Sequence, residues 1–232
     1  MPTLIQISDC HIDDKTQAIG VDTQKNLNNV VKQLIQVPAD LLVISGDVSH
    51  HGSISSYTIV KNILSVVKIP LLMFAGNHDN KENLQGVFSK NINERQQIGD
   101  WAIHTIDSVK KNHTSGFVSK QALEQLNHAL QNCQAKFQIL VLHHPIVSMQ
   151  SSWDDALSLE NPQDLFNVID KYPKIKAILW GHAHEAKSFI RKGVHLVSCP
   201  STAVQFNEQD KIGFNVYQLK DNGKIEFKTQ WL

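Results

Sequence analysis

Short apolar runs alternate with amphipathic stretches along most of the chain, and the two periods predict strands and helices in turn. Residues 4–7 read as a first strand. Asp22 or Thr23 caps a helix whose apolar positions, Leu27, Val30, Val31, Leu34 and Ile35, fall on one face. Residues 41–45 form a buried-strand run that stops at Gly46-Asp47. Ser55 or Ser56 opens a second helix with Ile59, Val60, Ile63, Leu64 and Val67 turned inward. Residues 71–75 give a third strand, ended by Gly76-Asn77-His78-Asp79.

The pattern continues beyond residue 100. Residues 101–107 are strand-like, and Ser119 caps a helix through Leu123, Leu126 and Leu130. Residues 137–142 form a strand that ends at His143-His144-Pro145. Asn161-Pro162 places proline at the first position of a helix carrying Leu165, Phe166 and Ile169. Residues 175–180 form a strand that runs into Gly181-His182. Extended runs follow near Phe189 and over 194–198, 213–219 and 225–231, with hairpin turns at Gly193 and Asn222-Gly223. Strand–helix alternation implies parallel pairing in the first half, and the tail is mostly strand. The expectation is one α/β domain over residues 1–232, with two sheets packed together and helices outside.

Composition narrows the function classes. The chain has 232 residues, enough for one sizeable core, and its 22 basic and 22 acidic residues cancel. A dedicated nucleic-acid binder shows a basic excess or stripe, so no nucleic-acid partner is expected. No apolar window approaches the roughly 18 residues of a membrane span, and the first strand does not resemble a signal segment, so neither membrane nor export is expected. Cys10, Cys133 and Cys199 lack metal spacing and read as reduced thiols of a cytoplasmic protein. Histidine is over-represented, with 12 residues against 11 glycines. It is the commonest metal ligand and a frequent proton carrier.

Position shows which histidines matter. Asp9 and His11 follow the first strand, Asp47 the second, Asn77 and His78 the third, His143 the strand over 137–142, and His182 and His184 the strand over 175–180. Ligands of open α/β sheets bind at the carboxyl ends of strands, so five strand tips are expected to meet at one edge. Imidazole and carboxylate suit Zn, Fe, Mn, Co or Ni rather than a soft thiolate-bound ion. In Asp-x-His and His-x-His, alternate side chains of an extended segment point to the same side.

Asp9-Cys10-His11, Gly46-Asp47, Gly76-Asn77-His78-Asp79, His143-His144-Pro145 and Gly181-His182-Ala183-His184 together resemble, in order, the motif series of the calcineurin-like metallophosphoesterases. That resemblance implies a four-layer α/β/β/α sandwich of two mixed sheets flanked by helices. It implies a first metal on Asp9, His11 and His184, a second on Asn77, His143 and His182, and Asp47 bridging both. Iron and manganese are the metals it suggests, with Zn, Co or Ni admitted by the ligand set. It implies His78 as general acid, and substrate contacts from Asn77, His78, His184 and His144. Cys10 departs from the family, which more often has Ser or Thr there, and its side chain is expected to point away from the metals.

The segment Pro200-Ser201-Thr202-Ala203-Val204-Gln205-Phe206, with Ser152-Trp153, is similar to the class III cyclic-nucleotide phosphodiesterases, notably the bacterial cyclic-AMP enzymes. The implied activity is conversion of 3′,5′-cyclic AMP to 5′-AMP by a metal-held hydroxide. The alternative is another metallophosphoesterase on the same site, a nucleotidase, phospholipid-headgroup diesterase or protein phosphatase. A non-catalytic module on this fold would be expected to have lost ligands, whereas all seven candidates are present.

Other polar residues carry blander readings. Asp79 reads as the cap of a helix over 81–88, and His50 and His51 as a solvated loop. His144 divides between support of the second metal and local packing. Trp153 is either a cleft aromatic for base stacking or an exposed loop residue, and residues 201–206 either touch substrate or merely connect strands. His104, His113, His128 and His195 lie outside the expected site.

Overall fold

The computed structural model describes residues 1–14, 19–89, 91–92, 95–207 and 211–232. One sheet has the order β11-β10-β1-β2-β3, built from β1 (Thr3–Ile7), β2 (Leu41–Ser45), β3 (Leu71–Phe74), β10 (Gly213–Leu219) and β11 (Ile225–Trp231). β1, β2 and β3 are parallel; β10 returns antiparallel to β1. The second sheet has the order β4-β5-β6-β7-β9-β8, from β4 (Arg95–Ile98), β5 (Trp101–Thr105), β6 (Phe137–Val141), β7 (Ile175–Trp180), β8 (Ser188–Arg191) and β9 (Val194–Ser198). Its four central strands are parallel, and β4 and β8 are antiparallel edges. Both sheets are therefore mixed, with helices on the outer faces, as the sandwich expectation required.

Strand alternation explains the layering. In β1 and β2, Ile5, Ile7, Leu42 and Ile44 face a core shared with Leu27, Val30, Val31 and Leu34 of α1 (Thr23–Leu34), with Tyr57 and Val60 of α2 (Ile54–Ile63), and with Leu84 and Phe88 of α3 (Lys81–Phe88). Their alternate neighbours, Leu4, Leu41 and Val43, meet Trp101, Ile103, Ile139, Val141, Ala177 and Leu179 of the second sheet in the central layer. The other faces of β6 and β7 bury Leu140, Ile178 and Trp180 against Leu126 and Leu130 of α4 (Lys120–Gln131) and Leu165 and Phe166 of α6 (Pro162–Ile169). Side chains with long apolar stripes fill two outer cores and strand residues alone fill the middle, which is why every central strand reads as a nearly continuous apolar run.

Three local expectations change. α2 begins at Ile54, because the Ser53 hydroxyl accepts from the Ser56 amide; Ser55 and Ser56 lie inside the helix. β4, with sequence Arg95-Gln96-Gln97-Ile98, was not expected: an exposed edge strand needs no apolar alternation. α5 (Ser152–Leu157) was also missed, a six-residue helix capped by Ser151. The hairpin at Gly193 is a two-residue turn in which Lys192 and Gly193 both have positive φ (50° and 80°), the geometry that matches strand twist. Among the described residues no helix is long and apolar enough to cross a membrane.

Candidate metal centre

The carboxyl ends of β1, β2, β3, β6 and β7 deliver Asp9, His11, Asp47, Asn77, His78, His143, His182 and His184 to one edge of the sandwich. The loops bearing them are joined by backbone hydrogen bonds from Asp9 to Gly46, His11 to Asp47 and Gly181 to His143 (3.1, 2.9 and 3.1 Å). Asp9, His11, Asp47, His182 and His184 have φ between 44° and 67°, five of the eight non-glycine residues in the left-handed region among those described. Each such conformation costs about 1–3 kcal/mol and persists only where its surroundings impose it. Here the strain turns each side chain inward at the point where its strand stops.

Glycines make the approach possible. A Cβ at Gly76 would sit on the Asp47 carboxylate, and one at Gly181 would collide with Ser8 and Asp9. The carboxylates are in turn fixed by amides: the His78 N–H donates to Asp47 Oδ1 at 2.9 Å, and the His182 N–H to Asp9 Oδ2 at 2.9 Å.

The polar atoms then crowd together. His11 Nε2 and His184 Nε2 are 3.0 Å apart, and His143 Nε2 lies 3.1 Å from Asn77 Oδ1. Asp47 Oδ2 is 3.3 Å from His143 Nε2 and 3.7 Å from His11 Nε2, so this one oxygen touches both halves of the cluster. Asp9 Oδ1 is 3.6 Å from His184 Nε2. Asp9, Asp47 and His143 are fully or almost fully buried.

Outer hydrogen bonds select the ring nitrogens. His143 Nδ1 donates to the Ser45 carbonyl (2.8 Å) and His184 Nδ1 to the Val204 carbonyl (2.7 Å). A carbonyl only accepts, so in the neutral rings Nε2 carries the lone pair, and it faces the cluster. Nε2 of His182 is buried without any partner, an orphan that a cation would satisfy. Burial pulls the His182 imidazole down to about 3 and holds His11 well below its ordinary value, which keeps both rings in the neutral, ligating form. Burial also acts to lower His143, but the charge and hydrogen bond of Asp47 outweigh it and lift the ring to about 9, so a cation held there would have to displace that proton.

Two buried carboxylates, an amide oxygen and four converging imidazoles form an oxygen-and-nitrogen donor set for divalent transition ions. The groups Asp9–His11–His184 and Asp9–Asp47–His143 each bring their ligand atoms within 4.8 Å of one another, as does His143–His144–His182. The donor set therefore fits a metal pair. A cavity of about 400 Å³ opens over it, lined by His11, Asp47, Asn77, His78, His182 and His184 on its polar side. Among the described residues no lysine or arginine lines this cavity.

Some expectations need correction. His50 belongs to the cluster rather than to a solvated loop: its Nδ1 is 3.3 Å from His11 Nδ1, and its ring stacks on His78 with centroids 5.0 Å apart. His51 remains outside, largely exposed, 3.4 Å from Asp13. His144 was expected to touch substrate, but it is fully buried, its Nδ1 bonded to Ser108 Oγ (2.8 Å) and its Nε2 to the Thr114 carbonyl (3.1 Å). It packs against His182 and holds the loop that brings Thr114 to the cavity.

Asp79 does not cap α3; Asn80 does. The half-buried Asp79 carboxylate instead accepts from the amides of Gly76, Val48 and Ser49 and from the Tyr57 hydroxyl, tying the β2 and β3 tips together. Burial and the nearby Asp47 charge raise it to about 6. Cys10 points into the core under α1 and α2, and burial pushes its thiol up to about 12.

Residues 2–186 match the calcineurin-like phosphoesterase family. The chain belongs to that family. Over 99% of its length it is 51% identical to a probable cyclic nucleotide phosphodiesterase of Ruthia magnifica, covering 98% of that protein. It is 32% identical to the 3′,5′-cyclic adenosine monophosphate phosphodiesterase CpdA of Pseudomonas aeruginosa, with 96% of this chain and 87% of that protein aligned. In fold it is similar to a dimetal phosphatase from Danio rerio, with a TM-score of 0.77 at 13% identity over 100% and 98% of the two chains. It is likewise similar to a purple acid phosphatase from yellow lupin, with a TM-score of 0.72 at 12% identity over 99% of this chain and 51% of that one.

Proposed function

We propose that this phosphoesterase hydrolyses a cyclic nucleotide, 3′,5′-cyclic AMP to 5′-AMP, over a metal pair at the five strand tips. The observation that carries the substrate assignment is the reach of the similarity. The family match ends at residue 186, whereas likeness to the cyclic nucleotide phosphodiesterase relative extends over 99% of the chain. It thus includes Val204, Gln205 and Phe206, which wall the cavity above the polar cluster.

In this reading Asp9, His11 and His184 hold one ion, Asn77, His143 and His182 the other, and Asp47 both. When bound, such a pair supplies Lewis-acid polarisation of the phosphoryl oxygens and activation of water near neutral pH. The protein's part is to hold these donors rigidly and to manage protons. His78 Nδ1 donates to the His50 carbonyl (3.1 Å), which orients the ring, and in its doubly protonated form Nε2 bears the proton that the departing ribose oxygen requires. The His78 amide meanwhile holds Asp47, so one residue fixes the bridging carboxylate through its backbone and serves the leaving group through its side chain. In this reading Asn77, at the cavity wall, contacts the phosphoryl group as well, whereas His184, with Nδ1 on the Val204 carbonyl and Nε2 on an ion, keeps no free nitrogen for it.

The test is a substrate panel on protein reconstituted separately with Fe, Mn, Zn, Co and Ni: cyclic AMP, cyclic GMP, 2′,3′-cyclic AMP, an aryl phosphodiester and an aryl monoester. Cyclic AMP is expected to give the highest kcat/KM. Rapid turnover of another ester with cyclic AMP ignored would remove the cyclic-nucleotide assignment and leave the phosphoesterase.

A further inference from the structure

The active-site cavity has two unlike sides. Alongside the histidine and aspartate cluster the lining includes Trp153, Leu157, Val204 and Phe206. Phe206 lies flat on the His184 imidazole, with centroids 4.3 Å apart and planes 7° from parallel. Trp153 meets Phe206 nearly at a right angle, with centroids 4.9 Å apart and planes at 83°. Both rings remain open to solvent, Trp153 56% and Phe206 46% exposed. Two adjoining large aromatics left exposed are unusual on a surface of balanced charge, and a patch of this kind bordering a polar cleft is characteristic of a ligand wall.

Neither ring is loosely held. Trp153 is on the first turn of α5, whose Ser151 cap accepts from the Asp154 amide; Asp155 accepts from Ser148 Oγ and the Met149 amide, each at 2.6 Å. Phe206 follows Val204, whose carbonyl anchors His184, and Gln205, whose side chain makes hydrogen bonds to both backbone groups of Ser201. The corner between the rings is therefore preformed and costs little entropy to use. Its fixed attachment to His184 sets it one ring-stack away from the phosphoryl end of the cavity.

We infer that Trp153 and Phe206 form the platform for the planar base of the nucleotide, with Trp153 the residue that separates nucleotides from base-free phosphoesters. This rests on the cyclic-nucleotide reading for its substrate class, but it can fail independently of it. Aromatic stacking tolerates any base, so the platform favours nucleotides as a class and leaves the choice among bases to other contacts.

The experiment compares wild type, Trp153→Ala and Trp153→Phe with metals restored. Competitive inhibition constants are measured for 5′-AMP and for ribose 5-phosphate, which lacks the base, against hydrolysis of bis(4-nitrophenyl) phosphate. Wild type is expected to bind 5′-AMP about tenfold more tightly than ribose 5-phosphate, and Trp153→Ala to bring that ratio toward one. Trp153→Phe is expected to restore most of it. For cyclic AMP the alanine variant is expected to raise KM about tenfold while kcat changes less than about threefold. In wild type, 5′-AMP should quench tryptophan fluorescence more than ribose 5-phosphate does, and Trp153→Phe should lose that difference; this arm stands even if Trp153→Ala does not fold. An inhibitor ratio that is the same in wild type and Trp153→Ala, with cyclic AMP still hydrolysed, overturns the platform and spares the function. A ratio that depends on Trp153 in a protein that ignores cyclic AMP upholds the platform and removes the cyclic-nucleotide reading. Loss of bound metal in Trp153→Ala with an unchanged ratio would make the aromatic pair a shield for His184 alone, and the platform falls.

Discussion

His78 is expected to separate turnover from metal binding. Its side chain hydrogen-bonds to the His50 carbonyl, while its amide keeps the grip on Asp47 whatever the side chain is. His78→Ala should therefore keep metal content and fold but lose about 10²–10⁴-fold in kcat on cyclic AMP; near-full activity would end the general-acid role. Asp79→Ala should behave in the opposite sense. It leaves three amides and the Tyr57 hydroxyl without their acceptor, at a cost of about 3 kcal/mol or more, and loosens Asp47 as it does so. Chemical denaturation alongside metal titration measures both effects. These two residues also show what the sequence makes legible. The ligand candidates stand out because each directly follows an apolar strand. Asp79 and His50 do not, since a carboxylate three residues after glycine reads equally well as a helix cap, and nothing local tells that His50 folds back onto His11.

At the scale of elements, the central strands and long helices are readable because each has a continuous apolar face to bury. β4 escaped because it is a polar edge, and α5 because six residues are too few to show a period. Escape of α5 mattered most, as it carries Trp153 into the cavity. The proposed site lies at the strand tips, not in the strands, and their left-handed residues are the part no hydrophobic pattern records. Gly76→Ala tests this: the added methyl would lie on the Asp47 carboxylate. Metal affinity is expected to fall at least about tenfold, the scale seen when the support of a metal ligand is disturbed, with little change in circular dichroism. By contrast Gly193→Ala, in a hairpin turn remote from the cluster, should lower Tm by about 2–4 °C for roughly 1 kcal/mol of left-handed strain and leave kcat/KM intact.

At the scale of the molecule, the central core is shared by both sheets, and Gln6 of β1 donates to the Trp180 carbonyl of β7 across it (3.1 Å). We propose that the two sheets unfold as one domain, so fluorescence and far-ultraviolet dichroism should report a single coincident transition; two transitions would divide the chain. Metal ions that bind the folded cluster and not the unfolded chain stabilise by mass action, about 2.7 kcal/mol at a hundredfold excess over Kd. Chelation should thus lower Tm by about 5–10 °C, reversibly on adding metal back. In the proposed site Asp47 is the residue expected to touch both ions. The most direct measurement is anomalous X-ray scattering from crystals of the metal-reconstituted protein. Two peaks are expected, one beside Asp9, His11 and His184 and one beside Asn77, His143 and His182, each within bonding distance of the Asp47 carboxylate. A single peak, or peaks that Asp47 does not join, would contradict the two-metal site.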